Sequence, residues 1–167
     1  MTLLSIDLGC GNNPQNPYQA DKLIGVDING DPRRDIVGCR VGFEKVPLED
    51  SVADYITGFD FIEHVPRTMY YKDEFIFPFI NAMNEIYRLL KPGGLFHGST
   101  PAYPRPEAFQ DPTHVNFITD QTIGYFDGSI KDIEGNQYGK MYGFTGKFKS
   151  KQFWQGSHLQ WRLSAVK

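Results

Sequence analysis

Cysteine is scarce in this chain. Only Cys10 and Cys39 occur among its 167 residues. Neither has metal-ligand spacing, so two reduced thiols are expected rather than a disulfide framework or a metal centre. No apolar run approaches the ~20 residues that cross a bilayer, so no membrane attachment is expected. The N-terminus enters an apolar run at once, with no basic region and no cleavage site. No secretory leader is therefore read, and a cytoplasmic location is expected. A strong excess of positive charge is missing as well. The net charge is −3, which argues against a general nucleic-acid binder. Internal repeats and low-complexity stretches are absent. With 40% hydrophobic and 14% aromatic residues, the length suits one domain over residues 1–167 with a core of useful size.

The chain is organised around Leu3-Leu4-Ser5-Ile6-Asp7-Leu8-Gly9-Cys10-Gly11-Asn12. An apolar run reads as a buried parallel strand, and a Gly-x-Gly turn follows it directly. Gly9 and Gly11 carry no Cβ, so the backbone can turn sharply and approach a ligand. Position 14 is Pro14, so the third glycine of the dinucleotide fingerprint is missing. A second apolar run, Leu23 to Ile28, carries Asp27 at its tip. It lies about 20 residues on, where a ribose-binding carboxylate belongs in nucleotide-binding α/β folds. The stretch between the runs is rich in Asn, Pro and Gln, so its helix must be brief or irregular.

Four motifs in order carry a family resemblance. They are Asp7-Leu8-Gly9-Cys10-Gly11, Gly25-Val26-Asp27-Ile28, Phe61-Ile62-Glu63-His64-Val65-Pro66, and Glu85 through Lys91-Pro92-Gly93-Gly94. On these the chain resembles the class I S-adenosylmethionine-dependent methyltransferases, the methyltransferase type 11 group in particular, over residues 3 to about 102. The resemblance implies a three-layer, Rossmann-like α/β sandwich. Its seven-stranded, mostly parallel sheet would have the order 3-2-1-4-5-7-6, with an antiparallel C-terminal strand. It also implies S-adenosylmethionine as cofactor, lying over Gly9, Cys10 and Gly11. Asp7 would orient the loop and the amino-acid end, Asp27 would hold the ribose hydroxyls, and Ile28 would pack on adenine. Asp60 and Phe61 would line the methionine side. The family often has an acid after the third strand to contact adenine. Here Cys39 stands in that place, and backbone groups of Gly38 to Arg40 would substitute.

The rest of the chain supplies strands, one long helix and a loop. Asp35 to Gly38 and Tyr55 to Phe59 read as strands three and four. Phe79, Met83, Ile86 and Leu90 share one helical face, with Pro78 in the first turn and Lys91-Pro92-Gly93-Gly94 as the stop. Leu95 to Thr100 is the fifth strand. A short helix is expected from Thr119 or Asp120 through Phe126. A hairpin is expected over Phe144–Trp154 and His158–Val166, joined at Gln155-Gly156-Ser157. Residues 131 to 167 hold seven Lys or Arg against two acids. Among them Lys147, Lys149 and Lys151 alternate along the first hairpin strand. They read as edge lysines that discourage further pairing, with a nucleic-acid patch as the other reading.

The loop after strand five carries Asp111-Pro112-Thr113-His114. Asp111 and His114 are the expected base pair, the carboxylate fixing the imidazole tautomer, and His64 is the second choice. Asp60, Glu63 and His64 have metal-compatible chemistry, but Glu63 and His64 also suit the opening of a helix, and no metal is expected. The expected reaction is methyl transfer from S-adenosylmethionine to a small acceptor, on oxygen, with no nucleic-acid partner and the oligomeric state open. Two alternatives remain at this stage: a non-catalytic S-adenosylmethionine-binding module, and a nicotinamide-dependent Rossmann oxidoreductase.

Overall fold

The apolar runs are realised as a row of side chains crossing the sheet. In a computed structural model describing residues 2–167, nine strands form. These are β1 (Leu4–Leu8), β2 (Lys22–Asp27), β3 (Ile36–Gly38), β4 (Ala53–Phe59), β5 (Met69–Tyr71), β6 (Glu74–Ile76), β7 (Leu90–Pro101), β8 (Phe148–Gln155) and β9 (His158–Ala165). Seven of them make one sheet in the order β3-β2-β1-β4-β7-β9-β8. Leaving the separate β5–β6 hairpin out of the count, this is the 3-2-1-4-5-7-6 order that the resemblance implies. Pairing is parallel from β3 to β7. β9 runs antiparallel to both β7 and β8.

Register places Ile24, Ile6, Ile56, Phe96 and Leu163 side by side across five strands. Helix α1 (Pro78–Leu89) contributes Phe79, Ala82, Met83, Ile86 and Leu89 to the same buried cluster. Pro78 stands in its first turn as the sequence suggests, where a missing N–H costs little. The helix ends one residue earlier than its periodicity implies. Leu90 pairs with Ala53 and already belongs to β7, and the register shifts before Leu95 meets Tyr55. Lys91-Pro92-Gly93-Gly94 is thus an irregular start to a strand, with Gly93 at φ +77°, rather than the helix stop itself.

The opposite face of the sheet is covered more thinly than a helical layer would cover it. Residues 9–21 contain no helix. Tyr18 from this segment instead stacks on Tyr55 with ring centroids 4.5 Å apart. Its hydroxyl lies 3.0 Å from His97 Nδ1, while Gln160 Oε1 lies 3.0 Å from His97 Nε2. The row on this face runs Asp7, Thr57, His97, Arg162, Lys151, polar throughout.

Smaller elements complete the chain. Three one-turn helices follow β7: α2 (Glu107–Gln110), α3 (Gly124–Asp127) and α4 (Tyr138–Met141). The helix expected from Thr119 forms only over Gly124–Asp127, because Thr119 closes a turn on Thr122 first. The β5–β6 hairpin was not legible as a turn. Lys72 and Asp73 both adopt positive φ, 50° and 64°, a conformation usually given to Asn-Gly or Gly.

Two outcomes are expected. Phe96 is fully buried in the middle of the sheet, so Phe96→Ala lowers unfolding free energy by about 3–5 kcal/mol, measurable by denaturant titration. His97 is held below the ordinary histidine pKa by burial, opposed by its bond to Gln160. Below pH ~6.5 the unfolded chain therefore binds a proton that the folded chain refuses, and stability falls as pH falls. His97→Gln flattens that slope between pH 7 and 5, as read by melting temperature. An unchanged slope would assign it to other groups.

Candidate functional site

The ends of β1, β2 and β4 meet at one cleft, and the turn after β1 shapes it. Gly9 has φ +66°, and a Cβ there would stand 2.7 Å from the Phe61 ring. Only glycine accommodates both the turn and that approach. Gly9 N donates to Val26 O at 2.8 Å, which ties the turn to the end of β2. Gly11 N donates to Asp27 Oδ2 at 3.0 Å, and Asn29 N donates to Asp27 Oδ1 at 3.0 Å. Asp27 thus draws two loops together, and its remaining lone pairs stay available to a ligand.

The cavity has a volume of about 540 Å³, in the range of small-molecule and cofactor sites. Of the residues expected at the cofactor, Gly9, Asp27, Ile28, Cys39, Asp60 and Phe61 line it. Ile28 is 68% exposed at the rim. Val41, Phe43, Val65 and Pro66 line it too and were not foreseen. Val65 and Pro66 close the third motif, while Val41 and Phe43 lie outside all four and only the fold brings them round.

Four expected cofactor residues stand elsewhere. Asp7 is buried behind the loop. Its Oδ1 accepts from the Thr57 hydroxyl at 2.5 Å and its Oδ2 from Gln15 N at 2.8 Å. Burial pushes its carboxyl up, against the pull of those two bonds. It therefore orients the loop without touching the cavity. Gly11 turns away to Asp27. Cys10 Sγ fills the space over Gly25, where a Cβ would lie 2.6 Å from it. Gly38 packs against Gly30 and lines a different surface. Burial first, then the charges of Asp7 and Asp27, pushes the Cys10 thiol up to about 11. Cys39 likewise rises to about 11, by burial and then Glu44. Both thiols are protonated at neutral pH.

The acceptor-side residues converge from two loops. A one-turn 3-10 helix, Ile62–His64, follows β4. The loop after β7 is strapped onto it. Val115 N and Asn116 N both donate to Glu63 O at 2.9 Å, and Asn116 Nδ2 donates to Ile62 O at 2.9 Å. Arg67 then holds Asn116 Oδ1 at 2.8 Å and also donates to Phe117 O. The result sets the His64 and His114 rings 5.0 Å apart, edge to face.

The expected Asp111–His114 contact is not the one formed. Asp111 Oδ1 accepts from the amide and hydroxyl of Thr113, each at 2.7 Å. These bonds hold its carboxyl below the ordinary range. Thr113 in turn reaches His64 Nδ1, with its Oγ1 at 3.1 Å. His114 Nδ1 meets the Ala108 carbonyl at 3.2 Å. Thr113 engages Asp111 Oδ1, and His114 turns its Nδ1 to the Ala108 carbonyl instead of to Asp111. Asp60, metal-compatible in type together with Glu63 and His64, stands apart from them, its Oδ1 lying 2.9 Å from His158 Nε2.

A second cavity, about 350 Å³, is mostly aromatic and includes Phe77, Phe79, Tyr125, Phe126 and Tyr142. Arg67 and Thr68 line it, directly after the Val65 and Pro66 of the first.

With this geometry in hand, comparison with known proteins is specific at the level of family. The family model described as a methyltransferase domain matches residues 6–97. No curated protein matches the sequence. Among solved structures, an S-adenosylmethionine-dependent methyltransferase from Archaeoglobus fulgidus aligns with TM-score 0.61 at 13% identity, over 98% of this chain and 86% of that one. A 1,6-didemethyltoxoflavin-N1-methyltransferase from Burkholderia thailandensis, solved with S-adenosylhomocysteine, gives TM-score 0.58 at 15% identity, over 99% and 72%. A 16S rRNA (adenine(1408)-N(1))-methyltransferase from Catenulisporales acidiphilia gives 0.53 at 13%, over 99% and 85%. At these identities the likeness is one of fold, and it extends to enzymes of small molecules and of RNA alike. The matched segment holds the glycine turn, Asp27 and the Glu63-His64 motif, and the chain belongs to the methyltransferase-domain family as an S-adenosylmethionine-dependent class I methyltransferase.

Proposed function

We propose that this enzyme methylates an oxygen of a small-molecule acceptor held between the cofactor cleft and the His64–His114 pair. The observation that carries the reading is the convergence of a glycine-turned cleft with two imidazoles at its edge, His64 being part of the cleft lining. S-adenosylmethionine supplies a methyl group made electrophilic by its sulfonium. The chain's residues do the rest by positioning. Asp27 accepts from the ribose hydroxyls and Ile28 covers the adenine face. The Gly9 turn gives the backbone room for the amino-acid end, and Asp60 and Phe61 border the methionine chain. An oxygen nucleophile needs its proton removed, and the His64–His114 pair is where this reading places that event.

A small acceptor is favoured by the arrangement of positive charge. Lys149 and Lys151 lie on β8, the edge strand of the sheet, where lysines discourage edge pairing. Arg162 beside them stacks over Phe153 at 5.2 Å, so its charge is partly engaged. If the acceptor is instead RNA, binding to an unrelated RNA duplex weakens steeply between 50 and 200 mM salt, and Lys149→Ala with Lys151→Ala removes it. The expected result is no measurable retention at either salt concentration.

The cofactor site is tested by calorimetry. S-adenosylhomocysteine binds, and Asp27→Ala weakens it by roughly 1.5–3 kcal/mol, about 10- to 150-fold, with the melting temperature little changed. Equal affinity in the variant would move the ribose away from Asp27. Once an acceptor is in hand, His114→Ala lowers turnover by roughly 10²–10⁴ without changing cofactor affinity. Full turnover in that variant would leave positioning alone as the source of catalysis.

A further inference from the structure

Glu63 is a buried carboxylate with half of its acceptor capacity unused. It is 1% exposed. Its Oε2 accepts from the Thr100 hydroxyl at 3.0 Å, while Oε1 is buried with no hydrogen-bond partner among the described residues. An orphan charged oxygen in the interior is costly unless something positive meets it. Arg67, the nearby cation, is committed to Asn116 and Phe117. What does face Glu63 is a pair of imidazoles. One carboxylate oxygen of Glu63 and one ring nitrogen each of His64 and His114 lie within 4.8 Å of one another.

The two histidines are also held as metal-ligating histidines are held. His114 Nδ1 meets the Ala108 carbonyl and His64 Nδ1 meets the Thr113 carbonyl at 3.3 Å. A carbonyl only accepts, so each Nδ1 carries the proton and each Nε2 keeps a free lone pair. Fixing the tautomer through the other ring nitrogen is the usual outer support of a ligating histidine. The loop that brings His114 is strapped to Glu63's own carbonyl by Val115 N and Asn116 N, so the three donors are assembled before any ligand arrives.

We propose that Glu63, His64 and His114 form a site for one divalent first-row transition cation of the zinc class. Two imidazoles and a carboxylate select such ions over Mg²⁺ and Ca²⁺, which prefer all-oxygen sites. Bonds of about 2.1 Å on a tetrahedral ion set ligand atoms about 3.4 Å apart. Each separation, at most 4.8 Å, therefore closes by up to about 1.4 Å, with the exposed His64 ring the freest of the three side chains to move. Three protein ligands leave a coordination position open, as in hydrolytic zinc sites. Because His64 also lines the cofactor cleft, that open position suits an oxygen of the acceptor; with the cation bound both Nε2 atoms are ligands, and the acceptor proton is acidified by the ion rather than taken up by a free imidazole. The last point rests on the proposed methyl-transfer reading; the cation site itself does not.

The test uses the full chain without a histidine tag. Zn²⁺ is titrated in competition with a chromophoric chelator, and Co²⁺ is followed by its visible absorption. One equivalent of Zn²⁺ is expected per chain, unaffected by millimolar Mg²⁺. His64→Ala and His114→Ala are each expected to weaken it by more than the ~10–100-fold that losing a hydrogen-bonding partner behind a ligand costs. Glu63→Gln keeps the volume and the Thr100 contact but removes the anionic donor, and is expected to do the same and to shift the Co²⁺ spectrum. Absence of stoichiometric binding overturns the proposal. So does Zn²⁺ affinity unchanged in Glu63→Gln, which would mark a surface histidine pair only. His64 is exposed, so its variant folds and keeps the test decisive even if Glu63→Gln does not. S-adenosylhomocysteine binding measured alongside separates the two readings. Cofactor binding without Zn²⁺ overturns the cation site alone, and Zn²⁺ binding without cofactor overturns the methyl-transfer site alone.

Discussion

The buried carboxylate of Asp7 is the constraint on which the cofactor half of this enzyme depends. It reaches sideways to the Thr57 hydroxyl on β4 and forward to the Gln15 amide in the loop after β1. A parallel pair such as β1 and β2 normally needs a crossover of a dozen residues or more, usually helical. Here residues 9–21 make the crossing without a helix, and so without the ladder of internal bonds a helix provides. The loop is held instead by separate anchors. These are Asp7 to Gln15, Asn16 to Ala20 in both directions, and Tyr18 flat against Tyr55. Each anchor stabilises by a modest amount, but together they fix where Gly9 and Gly11 stand.

Those anchors explain why one sheet face is apolar and the other polar. The face toward α1 carries Ile6, Ile56, Phe96 and Leu163, all buried in one cluster, and its burial is the main favourable term of the fold. The other face cannot be dry, because the thin segment lying on it brings peptide groups that need partners. Asp7 and Asn16 supply partners to Gln15 N and to both peptide groups of Ala20, and Thr57, His97 and Gln160 extend the network to Asp7 and the Tyr18 hydroxyl. The cost is a histidine that resists protonation in the folded state, which links this face to the pH dependence of stability. The strand-end site sits where the two regimes meet. Its floor is the apolar core through Val26 and Val65, and its edges are the carboxylates of Asp27 and Asp60.

Much of the fold was legible because its signals are local. The apolar run Leu3–Leu8, the glycine pair after it, and the spacing of Phe79, Met83 and Ile86 each specify an element from neighbours alone. The C-terminal hairpin was legible from Gln155-Gly156-Ser157 between two strand-like runs, although its first strand begins at Phe148 rather than Phe144 and includes Gln155; it pairs through all eight residues of β8. The failures share a cause. The β5–β6 turn places Lys72 and Asp73 in conformations their residue types do not advertise. Leu90 looks helical by period but is captured by Ala53 across the sheet. In both cases tertiary context overrides propensity.

The site divides along the same line. Its cofactor half is written in short motifs, because backbone geometry at Gly9 and a carboxylate at a strand tip are properties of a few consecutive residues. Even there, Asp7, Cys10, Gly11 and Gly38 do not line the cleft, since sequence spacing does not say which way a side chain or a backbone segment faces. The acceptor half is written in contacts nearly fifty residues apart: Glu63 O with Asn116 N, His64 Nδ1 with Thr113. No window along the chain contains them. The residue types were recognisable, but their partners were not. Asp111 looked like the companion of His114 and is instead the brace of Thr113, which sets His64. Glu63 looked like a helix-start acid and does stand in the one-turn helix Ile62–His64, but it is also the buried member of the cluster. Roles of this kind follow from which atoms remain unpaired after folding, and that accounting becomes possible only when every hydrogen-bond donor near Glu63 has a position.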